Sequence, residues 1–142
     1  MYRNVVVAFD GSEGAQAALE RAVEVAARDG AALTVVEATR EEIPSLVPGA
    51  PRQSPPEEAE RARKELRRAV EELDPKLEAS PWVVGGPAAK AVLAVAEDIE
   101  ADLIVTGSRN RGAIARAVLG SVSTEILHGA RCDVLVAQPP SD

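Results

Sequence analysis

Apolar residues follow two patterns along the chain, and each pattern predicts one kind of secondary structure. Short continuous apolar runs are typical of strands buried on both faces, whereas apolar residues three or four positions apart are typical of amphipathic helices. The runs predict strands at residues 5–9, 33–36, 82–84, 103–105 and 134–137. The spaced pattern predicts helices between Ser12 and Gly30 and at residues 57–73, 88–99 and 122–128.

Strands and helices alternate throughout this series, which indicates βαβ units. Such units build a parallel sheet covered by helices on both faces, an α/β doubly wound fold. The proline-rich stretch at residues 40–56 is predicted to be a mobile loop rather than a domain boundary, because neither flank is long enough to fold alone. Residues 1–142 are therefore expected to form a single domain. In such sheets, ligands bind beyond the carboxyl ends of the strands, where the strand order reverses.

Composition and charge narrow the range of ligands. The net charge of −7 and the aromatic content of 2% argue against nucleic acid as a partner, which needs cations and stacking rings. Residues 1–105 hold 12 Lys and Arg against 20 Asp and Glu, whereas residues 106–142 hold four Arg against three acidic residues. The second segment is therefore either a site for a small anion or a chance cluster on a solvated face.

Cysteine content and the length of the apolar runs indicate the cellular compartment of the protein. Cys132 is the single cysteine, which excludes a disulfide framework or a cysteine zinc site and fits a reducing cytoplasm. No apolar run reaches the 18 residues of a membrane span, and no signal peptide is recognisable at the N-terminus. We therefore expect a cytoplasmic protein with no membrane partner.

The loop after the fourth predicted strand carries the candidate chemistry. Gly107 and Gly112 leave the backbone N–H groups open to a phosphate, because no side chain blocks the approach. Gly120 and Ser121 then open a helix, whose first N–H groups and dipole favour an anion. The hydroxyls of Ser121 and Ser123 add further donors. The arrangement predicts a site for a chain of phosphates.

Better-known phosphate motifs are absent from this loop. Gly107 and Gly112 have the spacing of a P-loop, but Ala113 and Ile114 stand where Lys and Ser or Thr are required. The first strand is not followed by G-x-G-x-x-G, so a dinucleotide-binding fingerprint is absent as well. The phosphate site must therefore be of another kind.

One family signature does match. It consists of a glycine, two residues, a second glycine, nine residues, and a glycine followed by serine or threonine. Here it reads Gly107, two residues, Asn110, nine residues, Gly120 and Ser121. Together with the strands along the chain, this signature resembles the universal stress protein family over nearly the whole length. Asn110 departs from the signature, although Asn tolerates a left-handed backbone better than other non-glycine residues.

The resemblance implies an adenine nucleotide alpha-hydrolase-like fold, with a five-stranded sheet in the order 3-2-1-4-5 and helices on both faces. It further implies ATP as the ligand, bound with Mg²⁺. Asp10 is then expected to face the ribose or the magnesium shell, beside Gly11 and Ser12. Ala38, just past the second strand, is expected to offer backbone groups to the adenine. The triphosphate contacts implied by the resemblance are Gly107, Arg109, Asn110, Gly120, Ser121, Val122 and Ser123.

Several alternatives remain open. Asp10 either faces the ligand or caps the first helix. The motif has no lysine and one candidate carboxylate, so we expect an ATP-binding regulatory protein of the stress response rather than an enzyme. The alternatives are a dimeric interaction module of the same fold that binds no nucleotide, and a slow ATPase. The last strand is apolar and carries no lysine, so we expect it to pair two copies into a homodimer, as is common in the family.

Overall fold

The computed structural model describes residues 1–39, 56–108 and 119–139. Its strands are β1 (Asn4–Ala8), β2 (Ala32–Thr39), β3 (Ala79–Gly85), β4 (Leu103–Gly107) and β5 (Asp133–Ala137). Its helices are α1 (Glu13–Asp29), α2 (Pro56–Glu71), α3 (Ala88–Asp98) and α4 (Ser121–Gly129). The described strands form one parallel sheet in the order β3-β2-β1-β4-β5, which confirms the predicted fold class and strand order.

Hydrophobic side chains cover both faces of the sheet. Val5, Val6 and Val7 of β1 are all 0% exposed, as expected for a continuous apolar run in a central strand. Successive side chains of a strand point to opposite faces. Val5 and Val7 therefore pack with α1 and α2, whereas Val6 packs with α3 and α4.

β2 is longer than its apolar run predicts. It continues beyond Val36 to Thr39, so Ala38 lies inside the strand and not just past it. The predicted end was wrong because β3 pairs with β2 along this extra length, up to the pair formed by Thr39 and Gly85. Residues 37–39 pair with β3 alone, and this pairing extends the strand although the apolar run has already ended.

β3 forms one edge of the sheet, and this position explains why its sequence predicts only residues 82–84. The strand starts at Ala79 and continues through exposed residues that include Pro81. The Glu78 carbonyl accepts a 2.8 Å hydrogen bond from the Leu33 N–H, so alternate residues face β2 and Pro81 faces outward. A proline at an outward position removes no hydrogen bond from the ladder. Trp82, in the same strand, is 38% exposed.

α1 lies between Ser12 and Gly30, as the sequence predicts. Ser12 precedes the helix and accepts a 3.2 Å hydrogen bond from the N–H three residues later, and Gly30 follows in the left-handed conformation with φ 69°. α2 ends at Glu71, two residues before its predicted end. The Leu73 N–H donates instead to the carbonyl three residues earlier, and its side chain still packs on the core. None of the helices in the described ranges is long and apolar enough to cross a membrane.

Carboxylates of the chain itself close the amino ends of the central strands. Asp102, just before β4, accepts hydrogen bonds from the Arg3 N–H at 2.8 Å and the Asn4 N–H at 3.0 Å. Asp29 accepts from the Tyr2 N–H at 2.8 Å. These bonds fix the residues that lead into β1. The amino-end carboxylates, as we call them below, are Asp29, Asp102 and Asp133, the last of which accepts a 2.7 Å hydrogen bond from the Tyr2 hydroxyl.

Candidate functional site

A cleft opens at the carboxyl ends of β1 and β4, two neighbouring strands in the middle of the sheet. The chain leaves β1 through α1 toward β2, whereas it leaves β4 toward α4 and β5, so the two connections diverge. This is the topological switch point at which parallel α/β sheets bind ligands. The cleft encloses about 610 Å³ when the part open to solvent is included.

Most of the predicted site residues meet at this cleft. Gly11 lies at its rim in the left-handed conformation, with φ 81°, and Ser121 is exposed at the first position of α4. Arg109 and Asn110 lie outside the described residues, as does the predicted loop up to residue 55. The predicted residues that line the cleft are Asp10, Ser12, Ala38, Gly107, Gly120, Val122 and Ser123.

α4 presents its N-terminus to the cleft without a side-chain cap. Gly120 is the N-cap residue and, among the described residues, no side chain caps the helix there. The Thr124 N–H makes the first intrahelical bond, to the Gly120 carbonyl at 3.0 Å. The N–H groups of residues 121–123 therefore have no acceptor within the helix. With the helix dipole, these groups produce a positive potential that attracts an anion.

Two glycines bring the first turn of α1 against the end of β4. A Cβ at Gly14 would lie 2.5 Å from the Ser108 carbonyl oxygen, and a Cβ at Gly107 would overlap the Gly14 backbone. This approach of one backbone to another is open only to glycine. Sequence reasoning misses Gly14, although a glycine inside a predicted helix, at a cost of about 1 kcal/mol relative to alanine, signals a packing contact.

Ser123 links α4 to the end of β4 by a hydrogen bond. Its residue is 2% exposed, and its hydroxyl donates a 3.0 Å hydrogen bond to the Gly107 carbonyl. The hydroxyl proton is thus used within the protein, and the donor that Ser123 presents to an anion is its backbone N–H. Ser123 thereby holds the N-terminus of α4 next to the end of β4.

The backbone of Ala38 faces the cleft. The Val36 carbonyl accepts a 2.8 Å hydrogen bond from the Phe9 N–H, whereas the Thr39 carbonyl accepts from the Gly86 N–H on the other side. Backbone groups of a strand alternate between its two neighbours, so Ala38 faces the same side as Val36. The β1 ladder ends at the pair of Ala8 and Val36, which leaves Ala38 beyond it. Its N–H and C=O therefore point across the opening of the cleft.

Asp10 stands exposed at the rim, directly after β1. Its Oδ1 accepts a 2.9 Å hydrogen bond from the Ser12 N–H, and the N-cap of α1 is Ser12. The capping role left open for Asp10 is therefore wrong. One carboxylate beside a phosphate site fits Mg²⁺, which keeps most of its waters and takes one or two protein carboxylates. Within the described ranges, no group of three or more His, Cys, Asp or Glu could hold a metal ion by itself.

Comparison with known proteins identifies a matching family and similar sequences. The sequence model of the Universal stress protein family matches residues 1–138. A Staphylococcus epidermidis protein named as a universal stress protein is 34% identical over 145 aligned residues, which cover 96% of this chain and 84% of the relative.

Solved structures share the fold. A universal stress protein in complex with cAMP superposes with a TM-score of 0.72 at 28% identity, over 98% of both chains. The universal stress protein from Archaeoglobus fulgidus in complex with dAMP also gives a TM-score of 0.72, at 24% identity, over 96% of this chain and 98% of the other. This chain belongs to the universal stress protein family.

Proposed function

We propose that this protein binds ATP with Mg²⁺ in the cleft between β1 and β4 and acts as a nucleotide-dependent regulator in the stress response. The observation that carries the proposal is the uncapped N-terminus of α4 facing a glycine-lined opening at the switch point of the sheet. Positive potential and convergent N–H groups at such a point suit a chain of phosphates.

The phosphates and the base are assigned to different parts of the cleft. The phosphates are assigned to the backbone N–H groups of residues 121–123 and to the approach over Gly107, with Arg109 and Asn110 as further predicted contacts. The adenine is assigned to Ala38, whose N–H and C=O form a donor and acceptor pair on one edge. An adenine edge offers the complementary acceptor and donor. This pairing supports a base contact that needs no aromatic side chain.

Asp10 is the residue assigned to Mg²⁺, with Gly11 and Ser12 shaping the turn beside it. When bound, the metal ion neutralises phosphate charge and orients the phosphate oxygens. The exposed carboxylate of Asp10 provides an anchor for the hydrated ion at the rim, and its bond from the Ser12 N–H holds that carboxylate in place.

A role in binding rather than catalysis is favoured by the residues around the cleft. Nucleotide hydrolysis needs a positioned water, a base and a group that stabilises the departing charge. Of the described residues that line the cleft, Asp10 alone carries a carboxylate, and none is a lysine, arginine or histidine. The relative solved with cAMP is 28% identical, and its ligand shares adenine and phosphate with ATP. These observations support a nucleotide-binding protein, which we assign to the cytoplasm on the basis of its single cysteine.

Calorimetric titration with ATP, ADP and AMP, each with and without Mg²⁺, tests the proposal. The variant Gly120→Val places a branched side chain at the entrance to the α4 N-terminus and is expected to lower ATP affinity at least about 100-fold, since the amides lose access to the phosphates. The matched control is Gly85→Val, at an exposed position of β3 outside the cleft lining, where affinity should not change. Equal affinity of the wild type and Gly120→Val would contradict the proposal.

We also propose that β5 pairs with β5 of a second copy. β5 is an edge strand, and its half-buried Val134, Leu135 and Val136 are apolar. The Ala137 carbonyl accepts from the Ser108 N–H, so alternate residues face β4 and Val134 faces outward. The opposite edge carries an outward proline at Pro81, which blocks strand addition there.

The difference between the β3 and β5 edges of the sheet suggests a test of the homodimer. Val134→Pro copies the blocked edge onto β5 and removes an outward N–H without breaking the β4 ladder. Sedimentation should give twice 14.9 kDa for the wild type and 14.9 kDa for the variant. A wild-type monomer at micromolar concentration would show that β5 does not pair copies.

A further inference from the structure

The peptide unit between Gly107 and Ser108 lies at the end of β4, between β5 and the cleft. Its N–H group belongs to Ser108 and donates a 2.8 Å hydrogen bond to the Ala137 carbonyl of β5. In a trans peptide unit, the C=O points in the direction opposite to the N–H. The Gly107 carbonyl therefore points away from β5, toward the side on which β1 and the cleft lie. The ladder with β1 ends earlier, at the pair of Val7 and Val105.

A carbonyl oxygen that faces this cleft opposes the binding of an anion, because the oxygen carries partial negative charge. The Ser123 hydroxyl donates a 3.0 Å hydrogen bond to the Gly107 oxygen. Ser123 is 2% exposed, so this bond is shielded from water. In such surroundings a hydrogen bond is stronger than in water, and an acceptor without a donor is more costly. The Ser123 hydroxyl thus offsets the negative charge that Gly107 would present to a phosphate.

The same bond fixes the first turn of α4. The N–H groups of residues 121–123 have no acceptor within the helix, and the N–H of Ser123 is one of them. The bond joins this turn to a well-fixed strand end, since the Gly14 backbone packs directly against Gly107. The phosphate subsite, as we call it below, consists of these N–H groups and the approach over Gly107.

We propose, on the basis of the proposed function, that Ser123 is the positioning residue of the phosphate subsite. Its hydroxyl acts through the Gly107 carbonyl and not by contact with the nucleotide. Removal of the hydroxyl has two effects in the same direction, because the carbonyl oxygen loses this donor and the first turn of α4 loses its attachment to β4. Both effects weaken the binding of phosphates.

A comparison of ATP with adenosine distinguishes positioning from a general loss of structure. The adenine is assigned to Ala38 of β2, which lies on the far side of β1 from β4. Ser123→Ala should therefore lower the affinity for ATP about tenfold, the effect of about one hydrogen bond to a charged group. The affinity for adenosine, which has no phosphate, should stay within about twofold of the wild type. A general loss of structure would weaken both ligands.

Thr124→Ala is the matched control. The Thr124 hydroxyl also donates a 3.0 Å hydrogen bond to a backbone carbonyl, but its acceptor is Gly120 of the same helix. The Gly120 carbonyl accepts from the Thr124 N–H as well, so it keeps a donor in the variant. The affinity of Thr124→Ala for ATP should stay within about twofold of the wild type. Calorimetry measures ATP with Mg²⁺, and the amide shift of Ala38 measures adenosine up to millimolar concentration.

The outcomes separate this inference from the proposed function. Equal ATP affinity of the wild type and Ser123→Ala overturns the inference and leaves the nucleotide site intact. An equal loss for ATP and adenosine, or an equal loss in Thr124→Ala, also overturns it. Absence of ATP binding to the wild type overturns both the inference and the proposed function.

A second variant covers the case in which Ser123→Ala does not fold. Ser123→Cys is nearly the same size, and its thiol is only a weak donor. Its affinity for ATP should be at least about threefold below that of the wild type, with the adenosine affinity unchanged. Wild-type ATP affinity in Ser123→Cys would overturn the inference.

Discussion

The two ends of the sheet differ in whether side chains accept hydrogen bonds from the backbone N–H groups there. At the amino end, Asp102 accepts from the N–H groups of Arg3 and Asn4, and Asp29 accepts from the Tyr2 N–H. At the carboxyl end, the N-terminus of α4 has no side-chain cap among the described residues and opens onto the cleft. At one end the chain's own carboxylates accept from the N–H groups, and at the other the first N–H groups of α4 have no acceptor within the helix. This difference agrees with the proposed function, which assigns the nucleotide to the carboxyl end.

Among the amino-end carboxylates, Asp29 is held in its charged form by the bonds it accepts. The Tyr2 N–H, and after it the Arg28 guanidinium, hold the pKa of Asp29 below its usual range. In the same cluster, the hydrogen bond to Asp133 is the main cause that raises the pKa of the Tyr2 hydroxyl. A carboxylate with a lowered pKa stabilises the folded state above its unfolded pKa, and that contribution is lost as the pH falls through the folded pKa.

The largest expected effect comes from closing the contact between α1 and β4. Gly14→Ala places a Cβ 2.5 Å from the Ser108 carbonyl oxygen, where only backbone can move away. We expect a loss of about 3 kcal/mol in the free energy of unfolding, measured by urea denaturation, together with loss of ATP binding. Gly30→Ala is the control, because its Cβ meets open space and the cost is the left-handed φ alone, about 1 kcal/mol. Equal losses for the two variants would refute the tight contact.

An intermediate effect is expected at the amino end. Asp102→Ala leaves the N–H groups of Arg3 and Asn4 without their acceptor and should lower the free energy of unfolding by about 2 kcal/mol. ATP affinity measured on the folded variant should stay within about twofold of the wild type, because this end is remote from the cleft. If Asp102→Ala weakened ATP binding as strongly as Gly120→Val, the proposed difference in function between the two ends would be contradicted.

The smallest expected effect concerns Glu37 and depends on pH. Burial, and after it the charges of Glu65 and Asp10, raises the pKa of this half-buried β2 carboxyl group to about 7. The unfolded state therefore ionises first, so the stability of the wild type falls as the pH rises from the unfolded value toward about 7. Glu37→Gln lacks this loss and should be more stable than the wild type by about 1 kcal/mol at pH 8, after allowance for partial exposure to solvent. At pH 4, the advantage should vanish. Denaturation midpoints that differ equally at both pH values would count against a half-buried Glu37 with a raised pKa.

The sequence carried enough information for the fold and for much of the cleft. Apolar runs such as residues 5–7 mark strands buried on both faces, and Gly120 with Ser121 marks the start of α4, both confirmed by the structure. These signals are local, because burial and helix capping act on neighbouring residues. Edge strands give weaker signals. β3 starts three residues before its apolar run, since one side of an edge strand faces solvent.

Other features depend on contacts between distant parts of the chain and escape sequence reasoning. Gly14 is required because β4 passes next to it, and Asp102 is bound to residues nearly 100 positions away. Glu37 reads as an ordinary polar position, and only the packing of α2 over β2 shows that the residue is half-buried and that its Oε2 atom is buried. The backbone direction of Ala38 likewise follows from the register of three strands.

Backbone amide chemical shifts during titration with ATP and Mg²⁺ test the division between the two ends most directly. The account predicts large, saturable shifts for amides at the carboxyl end, namely those of Gly11, Ser12, Ala38 and residues 121–123. The amides of Tyr2, Arg3 and Asn4, which the amino-end carboxylates already hold, should not move. Shifts concentrated at the amino end, or no shifts at millimolar ATP, would contradict it.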